Sequence, residues 1–179
     1  GTEVWNGGAN YYTCAQIVVG GVDAANSLMA VKKLVYDEKK LTMAELTKAL
    51  AANFGGYENV RKMCYEAPKH GNDIPEVNRM THRVYESILT AFNNVDGGGN
   101  YLSKDIKSVP DAYTKSIHNL MGMVTGALPN GKYAGVALTD GSLSAMPGTD
   151  VNGPTALVMS AAKALCAIKY TATHMNMKL

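Results

Sequence analysis

The feature that most restricts the fold is a β-like stretch followed by several helix-like segments. Ala9 to Val19 is rich in aromatic and β-branched residues and stops at Gly20-Gly21, which predicts a strand. Apolar residues then recur at three- and four-residue steps. The four segments with this spacing begin near Asp23, Thr42, Glu58 and Pro75. A strand that leads into helices is typical of a unit with helical crossovers.

Local signals indicate where these helices begin. Asp23 is expected to cap the first helix, and Leu28 is expected on its inward face. Thr42 and Glu45 have the three-residue spacing of a capping box. Pro75 stands where a first-turn proline belongs, so a long helix is predicted to start there.

The second half of the chain changes character. Residues 116–121 read as a second strand, and Leu128 to Lys132 reads as a turn. A glycine-rich loop follows, and Pro154 is expected to start the last helix. The final residues are expected to form another buried strand. Strands separated by helices predict an α/β architecture.

Composition excludes several classes of protein. With 46% hydrophobic and 18% charged residues the chain is expected to be globular. The net charge of +2 and the absence of a long Lys/Arg cluster argue against nucleic-acid binding. No apolar run of about 18 residues predicts a membrane span. Cys14, Cys64 and Cys166 lack metal-ligand or disulfide spacing, so reduced thiols and no metal are expected.

Both ends of the sequence are unusual. There is no initiator Met, and residues 174–179 stop inside an alternating stretch. The chain is therefore interpreted as a fragment cut at both ends, with residues 1–179 forming part of one domain.

Seven segments follow one another in a recognisable order: NSLMAVKKLVYDEKKLTMAEL, APKHGND, SIHN, LPNGKYAG, LTDGSLS, GTDVNGPTA and MNMK. Together they resemble the glycyl radical enzymes, the pyruvate formate-lyase-like superfamily. The resemblance covers nearly the whole chain. It implies a ten-stranded α/β barrel, of which residues 1–179 would be a late slice.

The resemblance also implies where the radical chemistry lies. In that superfamily a glycine near the C-terminus stores a radical and a cysteine on a finger loop passes it to substrate. Cys14, Cys64 and Cys166 do not match the family's C-x-E loop, and no glycyl motif of the R-V-x-G-Y type occurs. The radical glycine and the thiyl cysteine are therefore expected outside this segment, which would be inactive in isolation.

The first strand is expected to line the barrel and the substrate pocket. Alternate side chains share a face, which groups Tyr12, Cys14 and Gln16. Dehydratases and hydroxyphenylacetate decarboxylases of the family tend to carry a polar residue in this strand. Alignment on Asn26-Ser27-Leu28 puts that position at Ile17, and a slip of one residue puts it at Gln16. An isoleucine cannot act as a general base, but it can cover a hydrocarbon.

An apolar Ile17 favours addition of a hydrocarbon radical to fumarate, as in the benzylsuccinate and alkylsuccinate synthases. Leu120 and Met121 would suit the same pocket, and His118 is a further candidate for substrate contact. The alternatives are ordinary packing for Tyr12, a buried structural thiol for Cys14 and a hydrogen-bonded structural histidine for His118. The alternative reaction is that of an arylacetate decarboxylase or a diol- or choline-type lyase. A non-catalytic module derived from the barrel is the alternative of another class.

The resemblance implies several partners. A separate iron–sulfur enzyme that uses S-adenosylmethionine would install the glycyl radical, and this segment would bind no cofactor or metal. The whole enzyme would be cytoplasmic and anaerobic, with a hydrocarbon and fumarate as favoured substrates. It would form a homodimer, with small extra subunits in the succinate synthases.

Overall fold

The computed structural model describes residues 1–3, 8, 14–94, 108–111, 116–141, 143–165 and 173–177. Within these ranges the structure has two strands, six α-helices and one π-helical turn. They are β1 (Cys14–Ile17), α1 (Gly21–Val31), a π-helical turn (Lys32–Asp37), α2 (Met43–Ala51), α3 (Glu58–Glu66), α4 (Pro75–Asn94), β2 (Ser108–Asp111), α5 (Ile117–Met123) and α6 (Gly153–Ala164).

The two strands form a parallel pair. Cys14 lies opposite Ser108, and Ile17 lies opposite Asp111. Helices α1 to α4 connect the strands, because parallel neighbours need a long crossover. The predicted α/β organisation is confirmed at this level. Residues 9–13 of the first predicted strand lie outside the described ranges.

Two hydrophobic clusters lie in the described core. One joins the end of β1 to α4 and α6 and contains Val18, Tyr85, Leu143, Ala161 and Ala164. The other is built around α2 and α3 and contains Leu34, Leu41, Leu46, Ala49, Phe54 and Cys64. The fully buried ring of Tyr85 is the largest side chain of the first cluster.

The helix boundaries agree well with the local signals. The backbone N–H of Glu45 donates to Thr42 Oγ1 at 3.1 Å, and the Thr42 N–H donates to Glu45 Oε2 at 2.7 Å. The capping box is therefore confirmed. Pro75 begins a 20-residue helix, and Pro154 lies in the first turn of α6.

The prediction for α1 was wrong in two respects. Gly20, not Asp23, is the N-cap residue, and Leu28 is 47% exposed. The helix is rotated so that Asp23 and Asn26 point inwards, where each accepts a hydrogen bond from a distant segment. Polar side chains that make hydrogen bonds on the buried face cannot be predicted from the spacing of apolar residues alone.

The predicted strand at residues 116–121 is also wrong, since α5 is a helix over Ile117–Met123. A short apolar run has too little periodicity to distinguish the two structures. Within the described residues 173–177 the expected final strand is represented by a bridge at residues 173 and 174, and Met177 is 44% exposed. None of the described helices has the length and apolar character needed to cross a membrane.

Candidate functional site

An apolar cleft of about 440 Å³ lies where the chain leaves β1 and enters α1. Its walls come from Val19 and Gly20, from the first two turns of α1, from Leu128-Pro129 and from Leu138. Gly20 has a φ of 82°, which a residue with a Cβ rarely adopts. This glycine allows the chain to turn sharply from the strand into the helix.

Helix α5 approaches the cleft region through its backbone. A Cβ at Gly122 would lie 2.5 Å from both Ala137 Cα and Val136 O. The N–H of Leu138 donates to His118 O at 3.1 Å, which ties the same segment to the start of α5. Close packing and this hydrogen bond together fix α5 against residues 136–138.

The carboxylate of Asp23 holds the elements around the cleft together. Its carboxylate accepts a hydrogen bond from Asn130 Nδ2 at 2.9 Å and another from the Thr139 N–H at 2.7 Å. Burial raises the pKa of Asp23, whereas these hydrogen bonds and the charge of Lys132 oppose that rise. One carboxylate thus joins α1 to two separate loops.

A second polar cluster surrounds the imidazole of His118, whose side chain is 15% exposed. Its Nδ1 lies 3.5 Å from Asp140 Oδ1, within ion-pair range but without hydrogen-bond geometry. Asp140 accepts a hydrogen bond from Asn176 Nδ2. Asn176 Oδ1 in turn accepts from His174 Nε2 at 3.0 Å. The cluster ties α5 to a glycine turn and to the end of the chain.

The other predicted pocket residues are distributed over two elements. Ile17 is 53% exposed at the carboxyl end of β1, and Leu120 and Met121 are 60% and 41% exposed on α5. His118 and Met121 are three residues apart on α5 and share a face, whereas Leu120 points away from His118. No backbone hydrogen bond between described residues joins β1 to α5. Cys14 and Gln16 are described only by their backbone in β1, and Tyr12 lies outside the described ranges.

The APKHGND loop joins neighbouring elements through buried hydrogen bonds. Lys69 is buried, and its Nζ donates to Cys64 O at 2.7 Å and to Ala67 O at 2.9 Å. It thereby satisfies carbonyl groups at the end of α3. Burial lowers the pKa of Lys69 to about 8 and raises the pKa of the Cys64 thiol to about 11. Cys64 is therefore an unreactive, protonated thiol at neutral pH.

His70, in the same loop, is fully buried and held at two points. Its backbone N–H donates to Asn26 Oδ1 at 2.8 Å, and its Nε2 lies 3.1 Å from Leu143 O. Because a carbonyl can only accept, Nε2 carries the proton. Burial lowers the pKa of His70 to about 4, so the ring is neutral near pH 7.

Asn72 joins this loop to the glycine-rich loop before α6. Its Nδ2 donates to Thr149 O at 2.7 Å and to Lys69 O at 3.3 Å. Its Oδ1 accepts from the N–H groups of Val151 at 2.9 Å and Asn152 at 3.2 Å. This role of Asn72 was not predicted, although an Asn between Gly71 and Asp73 is a typical signal for side chain-to-backbone bonding.

The residues that the structure describes contain no group of three or more His, Cys, Asp or Glu side chains able to hold an ion. The described site consists instead of an apolar cleft, a neighbouring polar cluster and rigid loops.

Comparison with known proteins places this arrangement in a family. The model of the pyruvate formate lyase-like family matches residues 1–122. The chain belongs to this family, which is a family of glycyl radical enzymes, and the predicted superfamily is thereby confirmed.

Two curated relatives are similar over most of the chain. The indoleacetate decarboxylase of Tractidigestivibacter scatoligenes is 33% identical over 99% of this chain and 22% of its own length. The isethionate sulfite-lyase of Bilophila wadsworthia is 41% identical over 75% of this chain and 16% of its own length. The chain thus spans about a fifth of the length of these relatives.

A solved relative supports the fold. The glycerol-bound B12-independent glycerol dehydratase of Clostridium butyricum matches with a TM-score of 0.85 and 35% identity, over 96% of this chain and 21% of that chain. The chain is therefore a slice of the glycyl radical enzyme fold. None of these relatives is a fumarate-adding synthase, so the branch favoured by the sequence analysis gains no support.

Proposed function

We propose that this chain is a segment of the catalytic subunit of a glycyl radical lyase that decarboxylates an arylacetate. The observation that carries the proposal is its 33% identity to an indoleacetate decarboxylase over 99% of the chain. In the proposed reaction the bond between the methylene carbon and the carboxyl carbon breaks. One proton is taken up, and the products are a methylarene and CO2.

Ile17 supports an aromatic substrate whose ring carries no ionisable group. Its side chain is 53% exposed at the carboxyl end of β1, where a partner surface can cover it. Removing apolar surface from water contributes about 25 cal/mol per Å². An isoleucine offers no proton acceptor to a phenol, but it packs well on an unsubstituted ring. The apolar character of Ile17 also favours a hydrocarbon substrate, but an aryl ring packs equally well against such a side chain.

His118 and the polar cluster would serve this reaction by holding α5 in place. The Asp140 carboxylate lies near Nδ1, which leaves Nε2 as the nitrogen able to face a ligand. Leu120 and Met121 on the same helix offer further apolar surface. The radical glycine, the thiyl cysteine and a separate activating enzyme belong to the proposed whole enzyme rather than to residues 1–179.

The proposal is tested with the full-length enzyme after anaerobic activation. Its kcat/KM is measured for phenylacetate and for 4-hydroxyphenylacetate, in the wild type and in Ile17→Glu and Ile17→Val variants. We expect the wild type to prefer phenylacetate. The Glu variant should lose at least about tenfold on phenylacetate, since a charge on an apolar wall costs well over 1.4 kcal/mol. The conservative Val variant should change little. Equal activity of all three enzymes on both acids would contradict the assigned role of Ile17.

A diol dehydratase is the second candidate, because the glycerol dehydratase structure superposes with a TM-score of 0.85 over 96% of the chain. That reaction would release water from a vicinal diol and leave an aldehyde. Glycerol and 1,2-propanediol in the same assay distinguish the two candidates. Aldehyde formation without CO2 release from either arylacetate would favour the dehydratase.

A further inference from the structure

The groove between α4 and α6 has a cavity of about 620 Å³ and an excess of positive charge. Arg79 and Arg83 line it from α4, and Lys163 lines it from α6. His82 lies between the two arginines in sequence, and its Nδ1 donates to Ala164 O at 2.9 Å. These contacts hold the two helices together beside the groove.

The described carboxylates beside the groove already form ion pairs with lysines. Asp73 accepts hydrogen bonds from Lys163 Nζ at 2.7 and 2.9 Å and from Asn78 Nδ2 at 2.8 Å. Glu76, on the first turn of α4, pairs with Lys32 at 2.8 Å. Among the residues described, no carboxylate lies within ion-pair distance of Arg79 or Arg83.

The geometry of the two arginines fits a carboxylate-bearing protein segment. Residues four apart on a helix share a face, with Cβ atoms about 5–6 Å apart. Each guanidinium can bind one carboxylate through two parallel hydrogen bonds. The arginine stems and Pro75 add apolar surface along the groove, so the ligand would also bury aliphatic side chains.

We propose that this groove binds an acidic segment of the same polypeptide, from the part that lies outside residues 1–179. The chain spans only about a fifth of its relatives' length, so most of such a polypeptide is available to cover it. Two carboxylates spaced for Arg79 and Arg83 would neutralise the surplus charge. The inference depends on the longer polypeptide of the proposed function, but not on which substrate that enzyme uses.

Zero-length carbodiimide coupling of the full-length enzyme, followed by peptide mass spectrometry, tests the contact directly. Lys163 should form an amide with an Asp or Glu outside residues 1–179. In the Arg79→Glu/Arg83→Glu variant the yield of that amide should fall about tenfold, because two attractive ion pairs become repulsive. The Lys48→Glu variant, which changes an exposed lysine on α2, should retain the wild-type yield.

Two further arms keep the test decisive. If the double Glu variant does not fold, the Arg79→Gln/Arg83→Gln variant should still lower the yield, and high salt should lower the wild-type yield in the same way. Mixed labelled and unlabelled subunits show whether the amide forms within one polypeptide. Coupling of Lys163 to Asp73 alone, to a second subunit or to another protein would overturn the proposal.

Discussion

Asn72 makes more long-range hydrogen bonds than its size suggests, and every one of its polar side-chain atoms is used. Its carboxamide donates to two carbonyl groups and accepts from two N–H groups. Only an amide has this combination of donors and acceptors at one position. The side chain therefore fixes the glycine-rich loop relative to the APKHGND loop.

Asn72→Asp should destabilise the protein by about 2–4 kcal/mol, since it places a carboxylate against the carbonyl groups of Thr149 and Lys69. Chemical denaturation of the full-length protein measures the loss. Asn59→Asp makes the same chemical change at an exposed site on α3 and should alter the free energy of unfolding by less than about 0.5 kcal/mol. Equal effects at both sites would contradict the cross-linking role.

His70 makes the stability of the protein sensitive to acid. The folded-state pKa is about 4, against 6.5 for a free histidine, because burial disfavours the charged ring. The unfolded chain therefore binds the proton first as pH falls. The contribution is complete above pH 6.5 and is lost as pH falls towards 4, by about 3 kcal/mol in total.

Denaturation of wild type and His70→Gln between pH 7 and pH 4 isolates this effect. Glutamine keeps an N–H for Leu143 O but does not titrate. The free energy of unfolding should therefore fall less steeply in the variant, by up to about 3 kcal/mol over the range. Parallel profiles would show that His70 is not a buried neutral ring.

Among the elements, α5 depends most on a close backbone contact. Gly122→Ala would normally strengthen a helix, but here the new Cβ would lie 2.5 Å from Ala137 Cα. We expect a loss of about 2–4 kcal/mol, measured by thermal or chemical unfolding. Gly126→Ala, with no atom within 4 Å of the new Cβ, is the matched control. A neutral Gly122→Ala variant would show that α5 does not pack on residues 136–138.

The start of α2 provides a second test at this scale. Thr42→Ala removes the side-chain acceptor of the Glu45 N–H and should cost about 1 kcal/mol. Thr47→Ala, within the same helix, removes only a bond to the Met43 carbonyl on an exposed face. It should be neutral or slightly stabilising because alanine is the better helix former. A larger loss at Thr47 would contradict the capping box.

The elements also show how far local sequence signals reach. The capping box at Thr42 and the proline starts at Pro75 and Pro154 were predictable, because the determinants lie within a few residues of each helix end. The inward rotation of α1 and the helical state of α5 were not. The rotation of α1 depends on hydrogen bonds between Asp23 and residues more than a hundred positions away. The packing of α5 depends on a contact between His118 and a residue about twenty positions away. Local periodicity contains no information about such partners.

For the whole molecule, the motif order was sufficient to predict the superfamily but not the reaction. The APKHGND and GTDVNGPTA segments build rigid loops, which different reactions of one family can share. Ile17, from which the branch was predicted, indicates only that a surface is apolar. An aryl ring and a saturated hydrocarbon both pack well against an apolar side chain. That residue could therefore not separate fumarate addition from arylacetate decarboxylation.

Large exposed apolar side chains occur at many positions, among them Met123 at 69% and Val124 at 81% exposure. Where such side chains form a patch, they mark an interaction surface. Their exposure agrees with a slice of a larger barrel whose remaining strands and helices would cover these residues.

The measurement that tests the central proposal most directly is CO2 release by the activated full-length enzyme. Carboxyl-¹³C-labelled indoleacetate and phenylacetate are each supplied without oxygen, and the headspace is analysed while electron paramagnetic resonance confirms the protein radical. We predict one labelled CO2 and one methylarene per turnover, both dependent on the radical. A fully formed radical that releases no labelled CO2, in an enzyme that converts glycerol to an aldehyde, would contradict the arylacetate decarboxylase.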